Sequence, residues 1–252
     1  MLNNRKQILS LSVNYGTYKQ FIDEIILLSI KKQSSYVCVA NVHMLVEAHN
    51  DKGFQDIVNG ADMVTPDGMP LVKVFKSLHG IVQDRVAGMN MLPDLLKEAE
   101  ANNVKVYFYG GTQKMLDLTN EYCKKAFPGL TVAGLYSPPF RPLSEEENQG
   151  VIDTINNSGA QLVFVALGCP KQERWMASMK GKVNAAMVGV GGALPVMIGL
   201  QKRAPLLMQK LSLEWLFRLG QEPKRLMKRY MVTNTTFIVL FAKAYFAKGR
   251  HK

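Results

Sequence analysis

No apolar run in this 252-residue chain approaches the roughly 18–20 residues needed to cross a bilayer. The longest candidate, residues 237–242, is stopped by Lys243, so a spanning anchor is excluded. The opening Met1-Leu2-Asn3-Asn4-Arg5-Lys6 has neither the apolar stretch nor the small-residue cleavage site of a secretory signal, and a cytoplasmic protein is expected. Cysteine is scarce: Cys38, Cys123 and Cys169 are odd in number and widely spaced, which fits neither a disulfide framework nor a zinc site. Reduced, mostly packing thiols are expected. A Walker A lysine motif, a full G-x-G-x-x-G fingerprint and a G-x-S-x-G elbow are all missing. These absences argue against an NTPase, a dinucleotide-dependent enzyme and a serine hydrolase. His43 and His49 lie six apart, off one helical face, and no acid-x-acid pair marks a divalent metal site. No metal and no other cofactor are expected to be required.

Acidic residues are also thin in one place. Residues 202–252 hold 12 Lys and Arg against Glu214 and Glu222, whereas the first 201 residues hold 19 against 18 acids. Nearly all of the +11 formal charge therefore belongs to a basic tail on a near-neutral body. The expected division is a core over residues 1–201 and a helical, basic appendage over 202–252.

The body alternates short β-branched runs with amphipathic stretches. Strands are predicted at residues 36–40, 61–65, 104–109, 130–135, 161–167 and 184–190. Helices are predicted at 18–31, 43–59, 69–78, 89–102, 112–127, 144–157, 171–179 and 193–200. Ser144 followed by Glu147 is a capping box that starts one of them. Near-continuous apolar strands such as Leu162-Val163-Phe164-Val165-Ala166-Leu167 suit a sheet covered on both faces. The expected fold is a doubly wound α/β sandwich around a mostly parallel sheet.

In such sheets ligands collect at the carboxyl ends of the strands. The residues there are Asn41-Val42-His43, Pro66-Asp67-Gly68, Gly110-Gly111-Thr112, Gly168-Cys169-Pro170-Lys171-Gln172-Glu173 and Gly191-Gly192-Ala193. The glycine turns lead into helices, whose free amides attract phosphate, although such turns are more often plain tight connections. Thr65-Pro66-Asp67-Gly68 reads first as a well-made turn and, next to it, as a mount for a rigid general base, Asp67. Arg85 reads as a fork for phosphate or carboxylate, or as a surface ion pair with Asp84 or another acid. Gln172 and Glu173 sit in a first helical turn, where capping is the plainer role.

In the tail, residues 205–220 form an expected helix, apolar except for a stripe of Lys210, Glu214 and Arg218 at i, i+4 spacing. A second helix carries Lys224, Arg225, Lys228 and Arg229 on an arc of about 140°, with Leu226, Met227, Tyr230 and Met231 on the rest of the turn. Anionic lipid, nucleic acid or another subunit would each suit it, or it is a solvated face. Nucleic acid is disfavoured by the near-neutral body and by the lack of a binding module.

Taken together, Asn41-Val42-His43-Met44, Ala61-Asp62-Met63-Val64-Thr65-Pro66-Asp67-Gly68-Met69-Pro70, Arg85-Val86-Ala87-Gly88, Tyr109-Gly110-Gly111-Thr112, Ser137-Pro138-Pro139-Phe140, Gly168-Cys169-Pro170-Lys171-Gln172-Glu173 and Arg203-Ala204-Pro205 resemble the WecG/TagA/CpsF family of bacterial glycosyltransferases. Each motif alone is weak, but their order and spacing along residues 36–230 are specific. The resemblance implies a Rossmann-like, inverting enzyme that moves a sugar from a UDP-sugar to a polyprenyl-diphosphate-linked acceptor during surface-polysaccharide or teichoic acid synthesis. It implies Asp67 as base, Asn41 and Gln172 as sugar-placing groups, and Arg85 against developing diphosphate charge. Gly110, Gly111, Thr112, Gly168, Gly191 and Gly192 would lie along the nucleotide. Arg203, Arg218, Arg225 and Arg229 would meet the acceptor diphosphate or the inner face of the cell membrane. Val39 and Val42 stand where some members have Thr and Pro, which leaves N-acetylmannosamine, its uronic acid and glucose all open as the donated sugar. The rivals are a non-catalytic nucleotide-sugar scaffold and a nucleotide-sugar dehydrogenase or epimerase.

Overall fold

The computed structural model describes residues 4–249. Six parallel strands form one sheet: β3 (Ser35–Ala40), β4 (Met63–Pro66), β5 (Val106–Tyr109), β6 (Val132–Tyr136), β7 (Leu162–Val165) and β8 (Ala186–Gly189), in the order β4-β3-β8-β7-β5-β6. All six predicted strands are present, with ends trimmed or shifted by a few residues. Apart from the edge strand β6, every strand residue is buried.

The period-two alternation of strands divides the core in two. Cys38, Tyr107, Tyr109, Val163, Val165 and Met187 point to one face, where they pack with α2 (Val42–Asn50), α3 (Lys52–Asn59), α7 (Glu145–Asn157) and α8 (Lys171–Met179). Val37, Val106, Phe108, Leu162, Phe164 and Val188 point to the other, against α1 (Tyr18–Ile30), α5 (Gly88–Ala101), α6 (Gln113–Ala126) and α9 (Ala193–Met197). Each face is thus closed by helices, as the unbroken apolar strands require. The chain leaves β5 toward β6 and leaves β7 toward β8. Adjacent strands β5 and β7 therefore flank a switch point of the sheet.

Three departures from the sequence expectation have local causes. A hairpin, β1 (Arg5–Ile8) and β2 (Leu11–Asn14), precedes the first expected element. Its two-residue turn uses Leu9 at φ 55° in place of the usual Gly or Asn, so the turn signal is silent. The expected helix over 43–59 divides at Asp51, whose extended backbone ends α2 while its carboxylate accepts from the Phe54 amide at 3.0 Å to cap α3. The helix over 69–78 begins as α4 (Met69–Val74) and widens into a π-turn over Phe75–His79, closed by Gly80 at φ 70°.

The tail differs more. The single helix expected over 205–220 is two short ones, α10 (Leu206–Lys210) and α11 (Glu214–Gln221), broken where Ser212 takes φ 65°. The stripe of Lys210, Glu214 and Arg218 consequently does not form along one helix. The last helix, α12 (Pro223–Gly249), lies on α2 and the π-turn through Phe237, Leu240 and Phe241, and Lys248 donates to the Ser77 carbonyl at 3.1 Å. Leu226 is buried beneath it, but Met227 and Met231, expected opposite the cations, are exposed. Trp215 meets Tyr230 edge-on at 5.7 Å and ties α11 to α12. Among the described residues no helix is long and apolar enough to cross a membrane.

Candidate active site

Ala40 and Pro66 are partners in the β3–β4 ladder, so Asn41 and Asp67 leave the sheet side by side. The Asp67 amide donates to the Ala40 carbonyl at 2.7 Å, which fixes one turn on the other. The Val86 amide donates to the Pro66 carbonyl at 3.0 Å and brings the Arg85 loop to the same edge. Asn41 caps α2, its side-chain oxygen accepting from the Met44 amide at 3.1 Å.

Asp67 is half-buried at this edge. Burial, and then the charge of Glu214, push its carboxyl up to about 7, against the opposing pull of Arg85 and Arg218. A carboxyl poised there is half-ionised at neutral pH, the condition under which a general base works best.

Arg85 does pair with an acid, but neither with Asp84 nor at the surface. Its Nη2 donates to Glu214 at 2.5 Å with both side chains largely buried, and its Nη1 donates to Gln209 at 3.2 Å. Asp84 instead accepts from the Tyr18 amide at 2.8 Å. Arg218 reaches the same place from α11: a Cβ on Gly192 would lie 2.5 Å from its Nη2, so the guanidinium rests directly on the Gly191-Gly192 turn. Asp67, Arg85, Arg218 and that turn thus converge, with tail residues supplying part of the floor.

Gln172 is 5% exposed and faces the end of β8. Its oxygen accepts from the Gly168 amide at 3.1 Å and its Nε2 donates to Glu173 at 2.7 Å, so both ends of the amide hold protein. Glu173 is fully buried, its second oxygen has no partner, and burial raises its carboxyl. Gly110 has a structural reason to be glycine: at φ 106°, an added Cβ would stand 2.8 Å from the Ala166 carbonyl carbon. Gly111 follows at φ 81°, and Thr112 is spent as the cap of α6, accepting from the Met115 amide at 3.3 Å.

The other tail arginines lie elsewhere. Arg203 pairs with Asn90 and lines a cleft of about 400 Å³ with Tyr18, Asp84, Arg85, Pro93 and Asp94. Arg225 pairs with Glu222 and is exposed. Arg229 is half-buried, 5.5 Å from the Tyr230 ring, and burial, followed by the Arg229 charge, lowers the nearby His43. Among the described residues no group of three or more His, Cys, Asp or Glu gathers in a metal-binding arrangement.

Sequence reading passed over Gln209 and Glu214 as site residues. The available signal was Glu214 itself, one of only two acids in a strongly cationic segment. Its partner, 129 residues away, is invisible to local periodicity.

Two comparisons join this geometry. A relative from Bacillus spizizenii (strain ATCC 23059 / NRRL B-14472 / W23), an N-acetylglucosaminyldiphosphoundecaprenol N-acetyl-beta-D-mannosaminyltransferase, is 33% identical over 196 residues, 77% of this chain and 74% of its own. One of the same name from Staphylococcus aureus (strain MW2) is 27% identical over 192 residues, 76% of this chain and 74% of its own. The sequence pattern of the glycosyl transferase WecG/TagA/CpsF family matches residues 6–251, almost end to end. With that match laid over a carboxyl edge that brings Asp67 and Arg85 together, the chain belongs to the WecG/TagA/CpsF family and is a glycosyltransferase.

Proposed function

We propose that this enzyme transfers a hexose-type sugar from a UDP-sugar to a sugar carried on a polyprenyl diphosphate, with inversion and without a metal. The observation that carries the reading is the Asp67 carboxyl, pushed up to about 7 at a strand end and flanked by Arg85 and Arg218. The acceptor hydroxyl oxygen bonds to the anomeric carbon while the bond from that carbon to the donor's diphosphate breaks. The hydroxyl proton passes to Asp67, and UDP leaves with the bonding electron pair. Arg85 and Arg218 take up the charge that develops on the leaving diphosphate, the work a metal does elsewhere. Asn41 orients a sugar, the turns at Gly110-Gly111, Gly168 and Gly191-Gly192 border the nucleotide, and Gln172, its amide spent on Gly168 and Glu173, acts by holding the Gly168 turn in place.

The names of the relatives support a polyprenyl-diphosphate acceptor and make N-acetylmannosamine the first donor to try, ahead of its uronic acid and glucose. A membrane role is supported by the tail, where Leu206 and Leu207 are 71% and 68% exposed beside exposed Lys202, Arg203 and Lys210. Apolar side chains among cations suit the headgroup boundary of an anionic leaflet, on its cytoplasmic side.

The test is UDP release from a panel of UDP-sugars with and without a lipid-diphosphate acceptor, repeated in EDTA. Acceptor-dependent release that survives EDTA is expected. Release that ignores the acceptor refutes transfer, and loss of activity in EDTA refutes metal independence. Asp67→Asn should lower turnover by about 10²–10⁴-fold while UDP affinity holds. Near-normal turnover removes Asp67 from the base role.

A further inference from the structure

Residues 202–252 contain two acids. Glu222 pairs locally with Arg225. Glu214 has Lys210 and Arg218 at helical spacing, yet pairs with neither: the break at Ser212 separates it from Lys210 on α10, and Arg218, on its own helix, lies against the Gly192 turn. It reaches back to Arg85. Gln209, 6% exposed and anchored by its own donation to the Ala204 carbonyl at 2.6 Å, takes the second arm of the same guanidinium. Two tail residues thus hold both terminal nitrogens of Arg85, while its buried Nε–H is left without a protein partner. A planar fork fixed at two corners has one direction left for that third donor.

The charges are just as deliberate. Asp67 is faced by Arg85 from the loop before α5 and by Glu214 and Arg218 from α11, an arrangement of two anions and two cations. Without Glu214, two arginines would face one carboxylate and draw it down, while burial would still hold it above the ordinary carboxylate range.

We propose that Glu214 is a positioning residue for the transfer reaction: from the C-terminal segment it aims the Arg85 fork and sets the charge balance around Asp67. The proposal rests on the reading of Asp67 as the base. It adds that the group aiming the Arg85 fork is Glu214, 129 residues away in sequence.

The experiment is the pH profile of kcat/KM in the full-length enzyme, with Glu214→Gln and Glu214→Asp beside the wild type. Glu214→Gln keeps an acceptor for Arg85 and loses the charge. Its acid limb should move down by about half to one pH unit, with kcat about tenfold lower. Glu214→Asp keeps the charge on a shorter arm; its limb should coincide with that of the wild type while kcat falls. A Glu214→Gln limb that superimposes on the wild type, or equal displacement in both variants, overturns the proposal. A ¹³C NMR titration of the Asp67 carboxyl in the wild type and Glu214→Gln needs no turnover and should show the same downward displacement. The two readings separate cleanly: an active Asp67→Asn enzyme defeats the base, whereas an inactive one with unmoved Glu214→Gln titration defeats Glu214 alone.

Discussion

Asp67→Asn should make the protein inactive and more stable at once. The Asp67 carboxyl rises from 3.8 to about 7 on folding, so the folded state resists its ionisation. Below pH 4 the group is protonated whether the chain is folded or not, and it costs nothing. Between pH 4 and 7 the unfolded chain releases the proton and the folded chain keeps it, so stability is lost progressively as pH rises. Above pH 7 the full cost is present. A rise of about three pH units at ~1.4 kcal/mol each sets a ceiling near 4 kcal/mol, and some contact with solvent lowers the expectation to about 2–4 kcal/mol. The neutral isostere avoids that cost. For a domain of this size Asp67→Asn should therefore melt roughly 4–16 °C higher at pH 8. Calorimetry at pH 8 and pH 4 checks this, because the gain must shrink toward zero at the lower pH. An equal gain at both values, or none at pH 8, would refute the electrostatic account of Asp67. The expected pattern is the usual exchange of stability for activity at a working site.

Two more outcomes follow from the packing. Leu206→Glu with Leu207→Glu should abolish sedimentation with anionic vesicles while leaving UDP affinity unchanged, since both side chains are exposed; retained sedimentation would remove α10 from the membrane-facing surface. Gly110→Ala should cost about 2–4 kcal/mol in urea unfolding, because its Cβ meets backbone and its φ is left-handed.

The sheet was legible because its core strands are almost wholly apolar, Ser35 and Thr65 being exceptions, and are followed closely by glycine, proline or asparagine, a pattern that tertiary packing reinforces. Asn41, Asp67 and Arg85 were legible as candidates for the same reason: strand ends in such a sheet converge whatever their distance in sequence. The breaks were harder. Asp51 looks like one polar residue on a helix face until its preference for capping is weighed, and Leu9 and Ser212 take left-handed backbone that their side chains do not advertise. The hold of Glu214 on Arg85 depends on how the tail folds back, and helical spacing pointed instead to Lys210 and Arg218.

The small N-terminal hairpin bears on the chemistry. β4, which ends beside Asp67, is an edge strand, and Asn14 of β2 accepts from the Val64 amide at 2.8 Å on it. Arg5 adds bonds to the Asn59 and Ala61 carbonyls just upstream. A catalytic carboxylate keeps its aim only as long as the strand beneath it stays put, and edges are where sheets fray. The hairpin therefore acts as a splint on the edge strand from whose end Asp67 projects.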